Sequence, residues 1–297
     1  MRWIAVLPAL ALIVARGSSA QQVSYDGSLS AATGRYLFDE RTSTLALGTG
    51  FSIRAGRLTV RATLPVWVQN TTLITTSGAG PIPTGGTSGQ TAVRDSGQAR
   101  HGGGGGMGGM SRSGSDPSGA LVAARMIPAP GQALTGYELM LADPIASASL
   151  NLVGGSRVSV SAGGAVKLPL ADTARIGTGK WDAGVHASVT TRVGNRWTLG
   201  VDGSWWSLGD LDSLELRDPF YGSLSVGRLL GSGAVMASLS AGTSWLEGFD
   251  PPVSVSVAWS RFGAPGSWGI NAGAGLTETA ADFTVGVTWS VDLRRRP

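Results

Sequence analysis

No cysteine occurs anywhere in the chain, and charged residues make up only 14% of it. The first absence removes disulfide frameworks, thiolate metal centres and redox thiols, so stability must come from another source, such as a closed hydrogen-bonded sheet. The second removes a disordered polyelectrolyte. After Ala20 no segment offers roughly eighteen or more consecutive apolar residues, which excludes a bundle of membrane-spanning helices. Dense basic stripes are missing apart from Arg294-Arg295-Arg296. The pI near 9.9 is therefore no nucleic-acid signal, and no nucleic-acid partner is expected.

What the chain has in abundance is glycine, 46 residues, together with serine and threonine, a composition that disfavours helices. Residues Met1 to Ala20 read as a secretory signal peptide: Arg2, an apolar run from Ile4 to Val14, then the small residues Gly17-Ser18-Ser19-Ala20. The mature chain is expected to start near Gln21 and to form one unit over 21–297. Setting aside Arg2 and Arg16 takes the formal net charge from +4 to +2.

From Val23 to Leu293 apolar and polar residues alternate. Near the end the odd positions read Ala281, Phe283, Val285, Val287, Trp289, Val291 and Leu293, against Asp282, Thr284, Gly286, Thr288, Ser290 and Asp292. The pattern predicts about twelve strands, over 23–34, 43–55, 58–70, 145–154, 157–168, 182–193, 197–207, 220–230, 234–244, 253–262, 266–276 and 281–293. Most are about ten residues or longer, enough for a tilted strand to cross a bilayer, where strands of soluble sandwiches are nearer five or six.

Short turns such as Ala55-Gly56-Arg57 and Gly231-Ser232-Gly233 follow every second strand, and most of the other connections are longer. Every acidic residue except Asp26, Asp202 and Asp292 lies in or beside the long connections, while Arg54, Arg57, Arg157, Arg192, Arg196, Arg228 and Arg261 lie toward the short turns. Trp67, Trp181, Trp205, Trp206 and Trp245 fall near the long-loop ends, and Trp197, Trp259, Trp268 and Trp289 near the short-turn ends, as two interfacial girdles would. The expected fold is thus all-β: a transmembrane antiparallel up-and-down barrel of the bacterial outer membrane, with short periplasmic turns and long extracellular loops. The competing reading is a secreted soluble barrel or sandwich with its apolar face turned inward.

The stretch from Asp143 to Leu208 carries Lys167-Leu168-Pro169, Ala171-Asp172, Ile176-Gly177-Thr178-Gly179 and Asp182-Ala183-Gly184. This strand, loop and strand unit resembles the meta-pathway phenol-degradation family of outer-membrane transporter-like barrels, strongly over about a quarter of the chain. The resemblance implies a channel-like barrel and passage of small, often aromatic or apolar, compounds, with Lys167, Pro169, Asp172, Gly177, Gly179, Asp182 and Gly184 as the motif loop. The final strand, with Thr284, Gly286, Trp289 and Val291, resembles the assembly signal of outer-membrane proteins, although the chain continues to Pro297. That implies the barrel-assembly machinery as a partner during insertion, beside outer-membrane lipid.

By alternation Arg54, Arg61, Lys167, His186, Arg192, Asp202, Arg228, Asn271 and Asp282 should point to the lumen. There they either line a narrow polar path or bond to one another and plug it. His186 and Ser188 share a face, and such a pair resembles the catalytic arrangement of outer-membrane phospholipase A. In that enzyme the pair faces lipid, whereas here it falls on the polar face and no suitable Asn is evident, so no catalytic residue is assigned.

The connection over about 72–144 reads as a long flexible glycine-rich external loop. Within it His101, Met107 and Met110 are not preorganised for a soft metal, and Ala120 to Met126 suit a short helix. The acidic run from Asp210 to Asp218 suits solvated charge better than a divalent cation. No metal or cofactor is expected. The function expected is a channel or transporter-like barrel, with a structural or surface-interaction barrel, and less so a lipid hydrolase, as alternatives.

Overall fold

The computed structural model describes residues 21–38, 40–71, 73–84, 137–173, 176–210, 215–245 and 248–293. The segment 1–20 expected to be a signal peptide, the His101 to Met110 and Ala120 to Met126 segments and Arg294-Arg295-Arg296 lie outside the described residues. Among those described are fifteen strands: β1 (Gln21–Gly34), β2 (Thr42–Ala55), β3 (Leu58–Gln69), β4 (Ile74–Ser77), β5 (Gly80–Pro83), β6 (Glu138–Leu141), β7 (Ile145–Gly154), β8 (Val158–Lys167), β9 (Asp182–Val193), β10 (Trp197–Ser207), β11 (Phe220–Leu230), β12 (Gly233–Gly242), β13 (Val253–Gly263), β14 (Gly266–Gly275) and β15 (Phe283–Asp292).

Twelve of them close a barrel. Neighbours in sequence pair antiparallel from β7 to β15, β15 pairs with β1, β1 with β2, β2 with β3, and β3 with β7. The closing seam runs over ten residue pairs, from Ser24 opposite Asp292 to Thr33 opposite Phe283. Closure gives the outermost strands partners on both sides, which an apolar surrounding requires of every backbone amide.

Register shows which face is which. Leu29, Leu47 and Val66 are cross-strand partners, as are Leu224 and Leu239, and all share the outer face, where the four leucines are exposed and Val66 is half-buried. The opposite face carries Ser, Thr, Gly and Ala. An outward apolar belt around a closed sheet suits lipid acyl chains, so the soluble reading with a greasy interior is excluded.

At the inner, short-turn end Gly56, Gly194 and Gly231 take left-handed φ values of +59°, +61° and +61°. In the tight links Ala55 to Leu58 and Leu230 to Gly233 such a backbone matches the twist of the flanking strands, and only glycine adopts it without strain.

Trp259 and Trp268 meet edge-on at 4.9 Å near the inner end, and Trp289, the cross-strand partner of Trp268, lies over Gly27 of the seam. The outer girdle is thinner than its tryptophans suggested. Trp181 and Trp205 face out, but Trp67, Trp206 and Trp245 turn inward to pack the barrel mouth.

The connection over 72–144 is not flexible loop throughout. Residues 74–83 form the β4–β5 hairpin, and β6 extends the wall by pairing with Val66 to Gln69 of β3. Short β-prone runs around a glycine turn are enough for a hairpin once the barrel mouth buries it.

Gly27→Val sets a branched side chain where the Trp289 indole lies, and overpacking of this kind costs about 1–3 kcal/mol. The expected outcome is slower insertion into lipid vesicles and unfolding at lower temperature, read from the heat-dependent gel mobility of folded barrels, with Ser28→Ala close to wild type.

Candidate functional site

The buried apolar residues gather at the outer mouth around the β4–β5 hairpin. Ile82 packs with Leu208, Leu216 and Trp245, against Trp206, Tyr221 and Phe249. On the other flank Leu73 and Ile74 pack with Tyr36 and Phe38 from the β1–β2 connection. A third cluster, Met140, Ala142, Ala171 and Ile176, rests on Trp67. These contacts come from connections all around the rim, so the hairpin stands across the mouth.

Its edges are bonded to the wall and to the β8–β9 connection. The Gln69 amide of β3 donates to the Ile74 carbonyl at 3.2 Å, and Thr76 donates its backbone N–H to the Ile176 carbonyl at 2.9 Å. Just before the hairpin, the Thr71 and Thr42 hydroxyls bond at 2.8 Å. Tyr36 and Leu37 adopt positive φ of 47° and 78°, a conformation costly for side chains of this size, and Tyr36 is thereby tucked into the packing. Burial, and then the nearby Asp282 carboxylate, push the Tyr36 phenol up to about 12.

The hairpin tip is held by charge. Lys167, at the end of β8, is only 1% exposed, and its ammonium lies 3.0 Å from Asp143 Oδ2 and 3.1 Å from Asp182 Oδ2 and donates to Thr178 Oγ1 at 2.6 Å. Asp182 Oδ2 also accepts the Gly78 N–H of the tip at 2.7 Å, and its Oδ1 accepts the Gly209 N–H at 3.0 Å. Asp143 Oδ1 accepts the amides of Leu170 and Ala171 at 2.8 and 2.7 Å. Two carboxylates around one ammonium leave a formal surplus of one negative charge, and backbone N–H donors on both carboxylates offset it.

The motif loop surrounds this cluster. The Asp172 carbonyl accepts the amides of Ile176 and Gly177 at 3.0 Å each, and Gly177 bridges to Thr76 of the hairpin. Gly179 has φ +68°, and Gly184 lies beneath the Trp206 ring, where a β-carbon would collide. Pro169 is half-buried in the same turn.

Below the mouth the inner face carries most of the other expected residues. Arg61 pairs with Asp26 at 3.2 Å, and Asp26 also accepts from Ser290 across the seam at 2.7 Å. Asp202 accepts from Ser223 at 3.1 Å. His186 lies against Gly163, and Asn271 against Gly286. Arg54 and Arg192 share the inward face near the inner end. Asp282 sits at the rim, bonded to Arg41 at 3.0 Å.

Arg228 is a correction. Its partners are Trp197 and Val235, and it follows Leu224 and Val226 on the outward face, with its guanidinium 5.5 Å from the Trp197 ring centre. Alternation within its own strand also sets Arg228 with Leu224 and Val226, so the lumen assignment runs against the parity of β11. Asp143 and the hairpin were missed altogether. Asp143 precedes a proline at a strand edge and resembles ordinary loop acid, and the hairpin is short and flanked by glycine-rich sequence.

The Ser188 hydroxyl bonds to Ser161 at 2.7 Å across the β8–β9 ladder. The Asp210 and Asp218 carboxylates accept the Leu216 and Leu208 amides at 3.1 and 2.9 Å. Among the described residues no three His, Asp or Glu are grouped to hold a metal ion.

Lys167→Met leaves Asp143 and Asp182 buried without their cation, a loss of about 3–5 kcal/mol. The hairpin should become open to protease, and the triple change Lys167→Met with Asp143→Asn and Asp182→Asn should recover much of the protection. For Tyr36 the sign follows from its raised value: the stabilisation is complete below pH 10, the ordinary tyrosine value, and is lost as pH climbs through about 12. The difference between spectrophotometric titrations of wild type and Tyr36→Phe should show a phenol ionising late, together with exposure of the hairpin, and Tyr36→Phe should abolish that coupling.

No protein-family model matches the chain, and no curated protein matches it. Among solved structures, it is similar to the COG4313 outer membrane channel from Pseudomonas putida F1, at 11% identity and a TM-score of 0.58, covering 93% of this chain and 97% of that one. It also matches the KdgM porin, at 6% identity and a TM-score of 0.45 over 91% and 99% of the two chains. The CymD monoaromatic hydrocarbon channel matches at 11% identity and a TM-score of 0.44 over 95% and 91%. The fold of this chain is that of a bacterial outer-membrane β-barrel.

Proposed function

We propose that this barrel passes small solutes across the outer membrane through its lumen, with the β4–β5 hairpin as the outer closure. The observation that carries the reading is the small polar inner wall. Thr190, Gly200, Ser225, Ser238, Ser256 and Gly273 are register partners on six successive strands, a continuous band of side chains too short to fill the interior. The fold it shares with a COG4313 channel supports the same reading. Aromatic or apolar compounds are the favoured cargo, on the sequence resemblance and on the Trp67, Trp206, Tyr221 and Trp245 side chains around the closure.

The closure is built to be displaced. Gln69 Oε1, Thr75 Oγ1 and Thr84 Oγ1 are buried without a hydrogen-bond partner among the described groups, and each such oxygen costs about 1–3 kcal/mol of docking free energy. Undocking restores them to water while the barrel wall keeps its ladder.

Planar-bilayer recording and vesicle flux assays test the proposal. Wild type should conduct in brief, small steps, and removal of the β4–β5 hairpin should raise conductance severalfold. Absence of current and of solute flux in both proteins would replace transport with a structural or surface-interaction role. Ser188→Ala should leave conductance unchanged, and any lipid hydrolysis lost with it would revive the hydrolase reading.

A further inference from the structure

The outward face carries two arginine–tryptophan pairs at the inner end. Trp197 of β10 is the register partner of Arg228 on β11, and Arg261 of β13 is the partner of Trp268 on β14. Each arginine stands two residues before its strand ends, at Leu230 and Gly263. Arg228 holds its guanidinium over the Trp197 ring, and Trp268 is steadied edge-on by Trp259. Both arginines are exposed, as are Arg157 and Arg196 in the neighbouring turns, and none forms an ion pair among the described residues. The carboxylates nearest this end, Asp26 and Asp292, are engaged elsewhere: Asp26 with Ser290 and Arg61, Asp292 with Gln22 and Ser24.

We infer that these two pairs form a binding collar for the phosphate headgroups of anionic phospholipids in the inner leaflet. A guanidinium on a lipid-facing strand is costly at mid-bilayer and nearly free of cost at the interface, so its place at the strand end sets its depth at the headgroups. There its planar fork matches a phosphate in two-point contact, and for Arg228 the Trp197 face keeps it extended before lipid arrives. The charge pattern selects the lipid. A zwitterionic headgroup brings its own cation to compete for the phosphate, whereas an anionic one adds net attraction to an arc with four arginines and no outward carboxylate among the described residues. The inference depends on the barrel fold and not on what the lumen carries.

The full barrel, folded in mixed micelles with equal amounts of phosphatidylglycerol and phosphatidylcholine, is released for native mass spectrometry and its retained lipids counted. Wild type should keep phosphatidylglycerol in excess. Arg228→Gln should cut that excess roughly fivefold, the ratio given by about 1 kcal/mol of interfacial attraction per basic residue. Arg228→Gln with Arg261→Gln should leave the two lipids equal, and Arg41→Gln at the opposite end should change nothing. Heat-dependent gel mobility checks that each variant is folded. Equal retention by wild type, or an undiminished preference in the folded double variant, overturns the collar.

Discussion

A backbone N–H in hydrocarbon has no solvent to bond, and that constraint governs everything else in this molecule. The sheet has to close, so β1 and β15 must meet, and they do so over ten residue pairs. Closure separates an outside, where valine, leucine and tryptophan face lipid, from an inside that must admit polar side chains. The same alternation that makes each strand amphipathic therefore creates the lumen. Seam residues on the inner face are tied by Asp26 to Ser290 and by Asp292 to Gln22 and Ser24, polar links that lipid on the other face cannot supply.

Within that frame the molecule keeps its buried apolar packing for the outer mouth, not for the barrel body. The body has no core in the sense of a soluble domain, because its inner face is mostly hydroxyl and glycine. Stabilisation of the mouth is mixed. Apolar clusters and the Lys167 ion cluster hold the hairpin, while buried oxygens without a partner among the described residues and the backbone strain at Tyr36 and Leu37 act against it. The hydrogen bonds of the hairpin are largely separate from the barrel ladder, whose strands pair with one another through their own backbones.

Legibility in the sequence followed the range of the interactions. Strands such as β13 and β15 were readable because a period of two over ten residues is a local signal that membrane burial reinforces on every strand. Lys167 and Asp182 could be picked out as motif positions, yet nothing in a linear reading says that a lysine and two aspartates, one of them Asp143, converge. The β4–β5 hairpin was hidden because its strands are four residues each and derive their stability from the surrounding rim. Trp67, Trp206 and Trp245 show the same limit: position near a strand end suggests a girdle, and only packing reveals that they turn inward.

Local alternation, turn glycines and the sorting of charge by connection length determined, by themselves, a closed antiparallel barrel and its two ends, because each depends on neighbours a few residues apart. Tertiary structure alone decided how the mouth is filled and which carboxylates share Lys167. Those outcomes depend on register and on contacts between segments up to about a hundred residues apart, such as Gly78 with Asp182. No periodicity in the chain encodes contacts of that kind; the closed barrel creates them by bringing distant loops to one rim.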